Sequence, residues 1–208
     1  MRNIFFTVLC VLLFAASVQA DEADEVQVML KGKIDAVMVL LQDKAVDKSR
    51  RNEQITAILM PLFDYHAMSR LSLGKKHWPT LSQEKQEEFS DLFIKRLQKS
   101  YLDKLDIFTD EKILYEEPVI AGKKIHVPTI LVSKGSRIEM LYKFYRSRKG
   151  WKIYDVEIGG VSVIQTYRSQ FDGVLSEGSI DDLLEKLKTD GVFVIPAPEV
   201  AEARSGTD

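Results

Sequence analysis

A single cysteine, Cys10, stands among 208 residues, so no disulfide can close within the chain and its stability must come from an apolar core. An excess of one charge is lacking too. The 29 basic and 31 acidic residues leave a net charge of -2, too little to gather nucleic acid by counterion release. Long apolar runs are missing apart from residues 4–16, and that stretch is shorter than the roughly 20 residues that span a bilayer. Also absent are the G-x-S-x-G elbow, the Walker glycine loop, G-x-G-x-x-G, H-E-x-x-H and any cysteine pair. The three histidines, His66, His77 and His126, share no metal-ligand spacing, so neither a metal nor a cofactor is expected.

What is present begins with the apolar run itself. It follows Arg2 and ends in Val18-Gln19-Ala20, small residues placed as signal peptidase requires, so residues 1–20 read as a secretory leader cleaved after Ala20. Cys10 lies inside the run instead of at its cleavage point, which argues against a lipid anchor and for a soluble exported protein. The remaining 188 residues have no cysteine and a net charge of -3, a composition suited to an oxidising compartment. A chain of that length buries about 70% of its unfolded surface, enough for one core.

Helical spacing is plain in the first half. Val26, Met29, Leu30, Ile34, Val37, Leu40 and Leu41 predict an amphipathic helix over about 24–43, with acidic residues at its positive end. A second short helix follows the charged stretch at 47–51 and is interrupted by Pro61. Asp64 caps a third, 65–73, ended by Gly74, and Ser82 caps the longest, about 83–105, with Phe89, Leu92, Phe93, Leu97, Tyr101, Leu102 and Leu105 on one face.

From residue 112 the pattern turns to strand. Segments 112–120, 124–133, 137–147 and 151–158 are separated by short Gly-bearing or basic turns, which predicts an antiparallel meander. Helices return at 161–171 and, behind the cap Ser179, at 180–189. The expected fold is α+β: a helical N-terminal half packed on a four-stranded antiparallel β-meander, with C-terminal helices. Residues 21–195 form one domain and 196–208, with Pro196 and Pro198, a flexible tail.

The strands do not alternate as a half-solvated sheet does. Segment 137–147 sets Ile138, Met140, Tyr142 and Phe144 against Leu141 and Tyr145, and 124–133 sets Ile130 and Val132 against Ile125, Val127 and Leu131. In 151–158, Tyr154, Val156 and Ile158 oppose Trp151 and Ile153. Both faces are apolar, so either helices cover most of the sheet or part of this surface lines a cavity for an apolar ligand.

Candidates for chemistry are few. Asp155 with Glu157 on the last strand offers a possible general base, or simply a solvated pair of carboxylates. Basic residues gather in Lys75-Lys76-His77, Lys123-Lys124 and Arg146, Arg148 and Lys149, as solvated turns or as a surface for anionic head groups or an acidic partner.

Two blocks then suggest a family. Asp64-Tyr65-His66-Ala67-Met68-Ser69-Arg70 through Leu73-Gly74, Trp78 and Leu81 to Phe89 form the first. Trp151 to Val156, Gly160-Val161-Ser162 and Tyr167-Arg168-Ser169-Gln170-Phe171 form the second. In this order, behind a leader, they resemble the MlaC, or toluene-tolerance, family of periplasmic phospholipid-binding proteins. Asp-Tyr-His stands where members more often show Asp-Phe.

The resemblance implies a non-enzymatic, monomeric periplasmic carrier that holds phospholipid acyl chains in an apolar cavity between helices and sheet. It would shuttle them between an outer-membrane lipoprotein complex and an inner-membrane ABC transporter, maintaining lipid asymmetry. Hopanoid or another lipid is an alternative cargo. On this reading Met140, Tyr142, Phe144, Val156 and Ile158 face the lipid from the sheet. Leu30, Phe63, Met68, Leu71, Phe93, Leu97 and Tyr101 supply the helical wall, and Tyr167 and Arg168 lie in the second block, Arg168 as a contact for lipid phosphate or as a surface ion pair.

At about 0.8 kcal/mol per buried methylene, a two-chain lipid with roughly 30 of them represents at most about 24 kcal/mol. That exceeds the practical affinity ceiling of about 18 to 21 kcal/mol, so release requires a partner. An enzyme using Asp155 and an adaptor binding an acidic partner are the competing readings.

Overall fold

The computed structural model describes residues 2–43, 45–105, 112–133, 135–189 and 191–194, with side chains from residue 21 onward except 103–105. Among these residues six α-helices and six strands follow in order: α1 (Arg2–Gln42), α2 (Lys48–Leu59), α3 (Tyr65–His77), α4 (Gln83–Leu105), β1 (Lys112–Tyr115), β2 (Val119–Ala121), β3 (Lys124–Ser133), β4 (Ser136–Ser147), β5 (Gly150–Ile158), β6 (Val161–Ser162), α5 (Val163–Glu177) and α6 (Ile180–Lys188). This is the expected α+β arrangement of helices, antiparallel sheet, then helices. Two short strands are added to the meander.

Helix boundaries follow from their caps. Asp47 accepts from the Arg50 amide at the start of α2, Asp64 from Ala67 at the start of α3, and Ser162 from Gln165 at the start of α5. Ser179 and Asp182 form a reciprocal capping box on α6. Pro61 sits in a 3-10 turn, Met60–Leu62, which ends α2. Gly74 breaks α3 where the sequence predicts its end, at φ 67° and ψ -177°, and a last turn continues to His77. Helix α1 begins well before the predicted 24–43, at Arg2. The predicted tail, 196–208, lies outside the described residues.

The sheet order is β1-β3-β4-β5-β6, with β2 also paired to β3, and every pairing is antiparallel. The segment predicted as one strand over 112–120 is two, because Pro118 has no amide to donate and the chain leaves the ladder at Glu116 to Pro118. Register places Ile125 opposite Phe144, Val127 opposite Tyr142 and Leu131 opposite Ile138, so these six share the face that the helices cover.

Strand β5 departs from strict alternation. Its register slips between Lys143 and Phe144 of β4, whose partners are Asp155 and Ile153. The bulge inserts one residue, which corrects the predicted facing: Ile153, Val156 and Ile158 lie on the helix-covered side, while Tyr154 stacks edge-on with Tyr145 and under the Lys124 ammonium.

Two apolar clusters hold the helices to this face. The larger joins Ala23, Val26, Leu30 and Ile34 of α1 to Phe89, Phe93 and Leu97 of α4, to the sheet and to α5 and α6. Within it Phe89, Phe93, Tyr167, Phe171 and Phe193 form an aromatic nucleus with ring centroids 5.1 to 6.4 Å apart. A smaller cluster of Val37, Leu41 and Ile55 ties α1 to α2. Among the described residues no helix is long and apolar enough to cross a membrane.

Candidate functional site

The two clusters leave a space between them. An apolar cavity of about 320 Å³ lies between α1, α2, the 60–65 segment, α4 and the covered face of the sheet. That is within the roughly 300–1,000 Å³ of small-molecule sites. Leu30, Ile34, Val37, Met38 and Leu41 line one side at helical spacing, so the cavity follows α1 for about 16 Å at 1.5 Å per residue. Leu97, Tyr101 and Leu102 of α4 face it, and Ile113, Leu131, Ile138, Met140, Tyr142, Ile153, Val156 and Ile158 form the floor.

Polar groups in the lining are few: Thr56, Tyr65, Gln98, Tyr101 and Tyr142. The tyrosines are held neutral. Burial pushes the Tyr142 hydroxyl up to about 12 and raises Tyr65 and Tyr101 further still. The Tyr101 hydroxyl is buried without a hydrogen-bond partner among the described residues.

Of the sequence-derived candidates, Leu30, Phe63, Met68, Leu97, Tyr101, Met140, Tyr142, Val156 and Ile158 stand in the lining. Phe93, Phe144 and Tyr167 are fully buried in the core outside it, and Leu71 packs on that core from α3. Arg168 is elsewhere. Its guanidinium covers Gly74, where an added Cβ would come within 2.8 Å of Nε, and it lies 4.0 Å from Asp172, which also meets His77 Nε2 at 3.2 Å. Sequence reasoning missed the run from Ile34 to Leu41 and the contributions of α2, although the stripe of α1 continues past Leu30 at unchanged spacing.

Asp155 is buried, as a catalytic base would be, but it does not line the cavity. It accepts from the Ile164 amide at 3.2 Å, from Ser162 Oγ at 2.8 Å and from Lys143 Nζ at 3.1 Å, and Lys143 also binds Glu157. The carboxylate therefore ties the start of α5 to the sheet. Among the described residues no cluster of histidine and carboxylate side chains is placed to hold a metal.

A second, open depression of about 660 Å³ borders the cavity and shares Phe63 and Tyr65 with it. Its rim is basic: Arg146, Arg148, Lys149 and Lys152. Asp64 lies among them, bonded to Tyr145, whose hydroxyl is pushed up to about 12 by burial and by that carboxylate.

The phospholipid-binding protein from Ralstonia solanacearum, solved in complex with a phospholipid, shares the fold at a TM-score of 0.70 and 22% identity, over 78% of this chain and 94% of that one. The intermembrane phospholipid transport system binding protein MlaC of Haemophilus influenzae is 25% identical over 136 residues, which span 62% of this chain and 63% of the relative. A family model for the MlaC protein matches residues 31–189, from within α1 to the end of α6, and on that match the chain belongs to the MlaC family.

Proposed function

We propose that this protein is a periplasmic carrier that holds the acyl chains of a phospholipid in the cavity beneath α1. It receives and delivers them at an outer-membrane lipoprotein complex and an inner-membrane ABC transporter, as a monomer without catalytic activity. The observation that carries this reading is the cavity itself, almost wholly apolar, with helices on one side and the sheet on the other. The choice of phospholipid as cargo is supported by the two relatives, one a phospholipid transport system binding protein and the other solved in complex with a phospholipid.

Two physical features add support. An apolar cavity of this size stays dry and forfeits dispersion contacts when empty, so it is better filled by methylenes than by water. The unpartnered Tyr101 hydroxyl costs about 1 to 3 kcal/mol in that setting, a cost removed by an acceptor such as an ester oxygen on the cargo. Residues 21–195 then act as one lipid-binding unit after cleavage behind Ala20.

The test is transfer. Protein mixed with vesicles containing a fluorescent phospholipid should extract it and pass it to acceptor vesicles, and Leu97→Arg, which puts a charge into the cavity wall, should abolish extraction. Equal extraction by wild type and variant would overturn the carrier reading.

A further inference from the structure

The depression beside the cavity is lined by four cations, Arg146, Arg148, Lys149 and Lys152, and one carboxylate, Asp64. Arg146 is held by Glu22 of α1, and Lys152 donates to the Pro61 carbonyl, so these two cations are fixed in place. Arg148 and Lys149, in the turn between β4 and β5, have no carboxylate partner among the described residues. Against the four cations stand Asp64 and Glu22. The Asp64 carboxylate is already committed, with one oxygen on the Ala67 amide and the other on Tyr145. An excess of two positive charges therefore faces an open space that no internal anion fills.

Its position gives the excess a meaning. Phe63 and Tyr65, stacked with ring centroids 5.8 Å apart, line both the basic depression and the apolar cavity. Phe63 is fixed there by its bridge to Ile153 on the edge of β5, and the following Asp64 amide donates to Ile153 O at 2.9 Å. A molecule with apolar chains in the cavity and a phosphate at one end matches this sequence of surfaces. Arginine and lysine at the rim provide the charged donors that phosphate oxygens accept.

Resting on the carrier reading, we propose that Arg148, Lys149 and Lys152 form a phosphate subsite for the head group of the lipid whose chains occupy the cavity. The subsite selects phosphate-bearing lipids over neutral lipids with the same chains. It contacts the phosphate rather than any particular alcohol, because every residue described in the lining of the depression is exposed or half-buried, so none offers a buried donor to read a specific head group.

The experiment presents delipidated full-length protein with vesicles containing equal amounts of palmitoyl-oleoyl phosphatidylglycerol and palmitoyl-oleoyl glycerol, and measures the ratio of the two in the protein fraction by mass spectrometry. Wild type should be enriched in the phospholipid by on the order of ten-fold. Arg148→Gln/Lys149→Gln/Lys152→Gln should bring the ratio to near one, and the charge-conserving Arg148→Lys should retain most of the preference. An unchanged ratio in the triple variant overturns the subsite and leaves the carrier reading intact, whereas no lipid of either kind in wild type overturns both. Inorganic phosphate titrated into the delipidated protein separates the other source of the same chemistry. Saturable phosphate binding, lost in the triple variant and unaccompanied by any head-group preference, would assign the pocket to the free anion and refute the proposal.

Discussion

Removing the cargo should cost this protein a measurable share of its stability, and the size of the effect follows from the cavity. Packing forgone around an unfilled space is worth about 24 cal/mol per Å³. The 320 Å³ beneath α1 thus represents at most about 8 kcal/mol. A domain is stable by only about 5 to 15 kcal/mol in total, so the empty form cannot bear the full amount without adjusting. If α1 and α2 settle inward and recover half, about 4 kcal/mol remains. At roughly 2 to 4 °C per kcal/mol for a chain of this length, the delipidated protein should unfold some 8 to 16 °C below the loaded one.

The assay is differential scanning calorimetry on protein purified without detergent, before and after organic extraction and refolding, with lipid content verified in both samples. Val156→Trp is the control from the protein side, because an indole filling the cavity should raise the Tm of the delipidated form toward that of loaded wild type while reducing the lipid recovered. A difference below about 2 °C between verified loaded and empty samples would refute the reasoning. It would mean that the space closes when empty or that the lipid sits elsewhere.

Three further outcomes are expected. Gly74→Ala should lower stability by about 1 to 3 kcal/mol in denaturant unfolding, since φ 67° with ψ -177° is a conformation essentially reserved for glycine, and Arg168 must also yield to the new methyl. Asp155→Ala should cost about 2 to 4 kcal/mol by freeing the Ile164 amide and half-stranding Lys143, and, because the residue lies outside the lining, the folded variant should still carry lipid. Burial, with Lys143 and Lys124 nearby, lowers the His126 imidazole below its ordinary 6.5 against the opposing pull of Glu157 and Asp155. As pH falls through 6.5 the unfolded chain gains a proton that the folded one does not, so stability drops on acidification. His126→Gln should flatten that slope between about pH 7 and 5, and an unchanged slope would assign it to other groups.

Local chemistry made much of this fold readable. Asp64, Ser82 and Ser179 are short side chains that cap only where an unsatisfied amide waits, and each stands at a helix start. The strand segments emerge because turn residues separate them sharply. Features that depend on a partner far along the chain were harder to read. The bulge at Tyr154 is decided by the successive pairs Lys143–Asp155 and Phe144–Ile153 with β4, and without it period-two counting puts Tyr154 on the same face as Val156.

The lining shows the same limit. Periodicity identifies the apolar stripe of α1, but whether Ile34 to Leu41 touch protein or empty space depends on how closely α2 and α4 approach. Arg168 lies in a block that reads as functional, yet its place over Gly74 is set by the packing of α5 on α3. The basic turn was legible as charge, and its adjacency to the cavity was not, because Phe63 and Tyr65 join the two only once their segment lies along β5.

Whether the cavity beneath α1 holds acyl chains is measured most directly by organic extraction of protein purified without detergent, followed by quantitative mass spectrometry. Close to one phospholipid per protein molecule is the expected result, with the amount sharply reduced by Leu97→Arg. Protein that is folded, cooperative in unfolding and free of lipid would contradict the account.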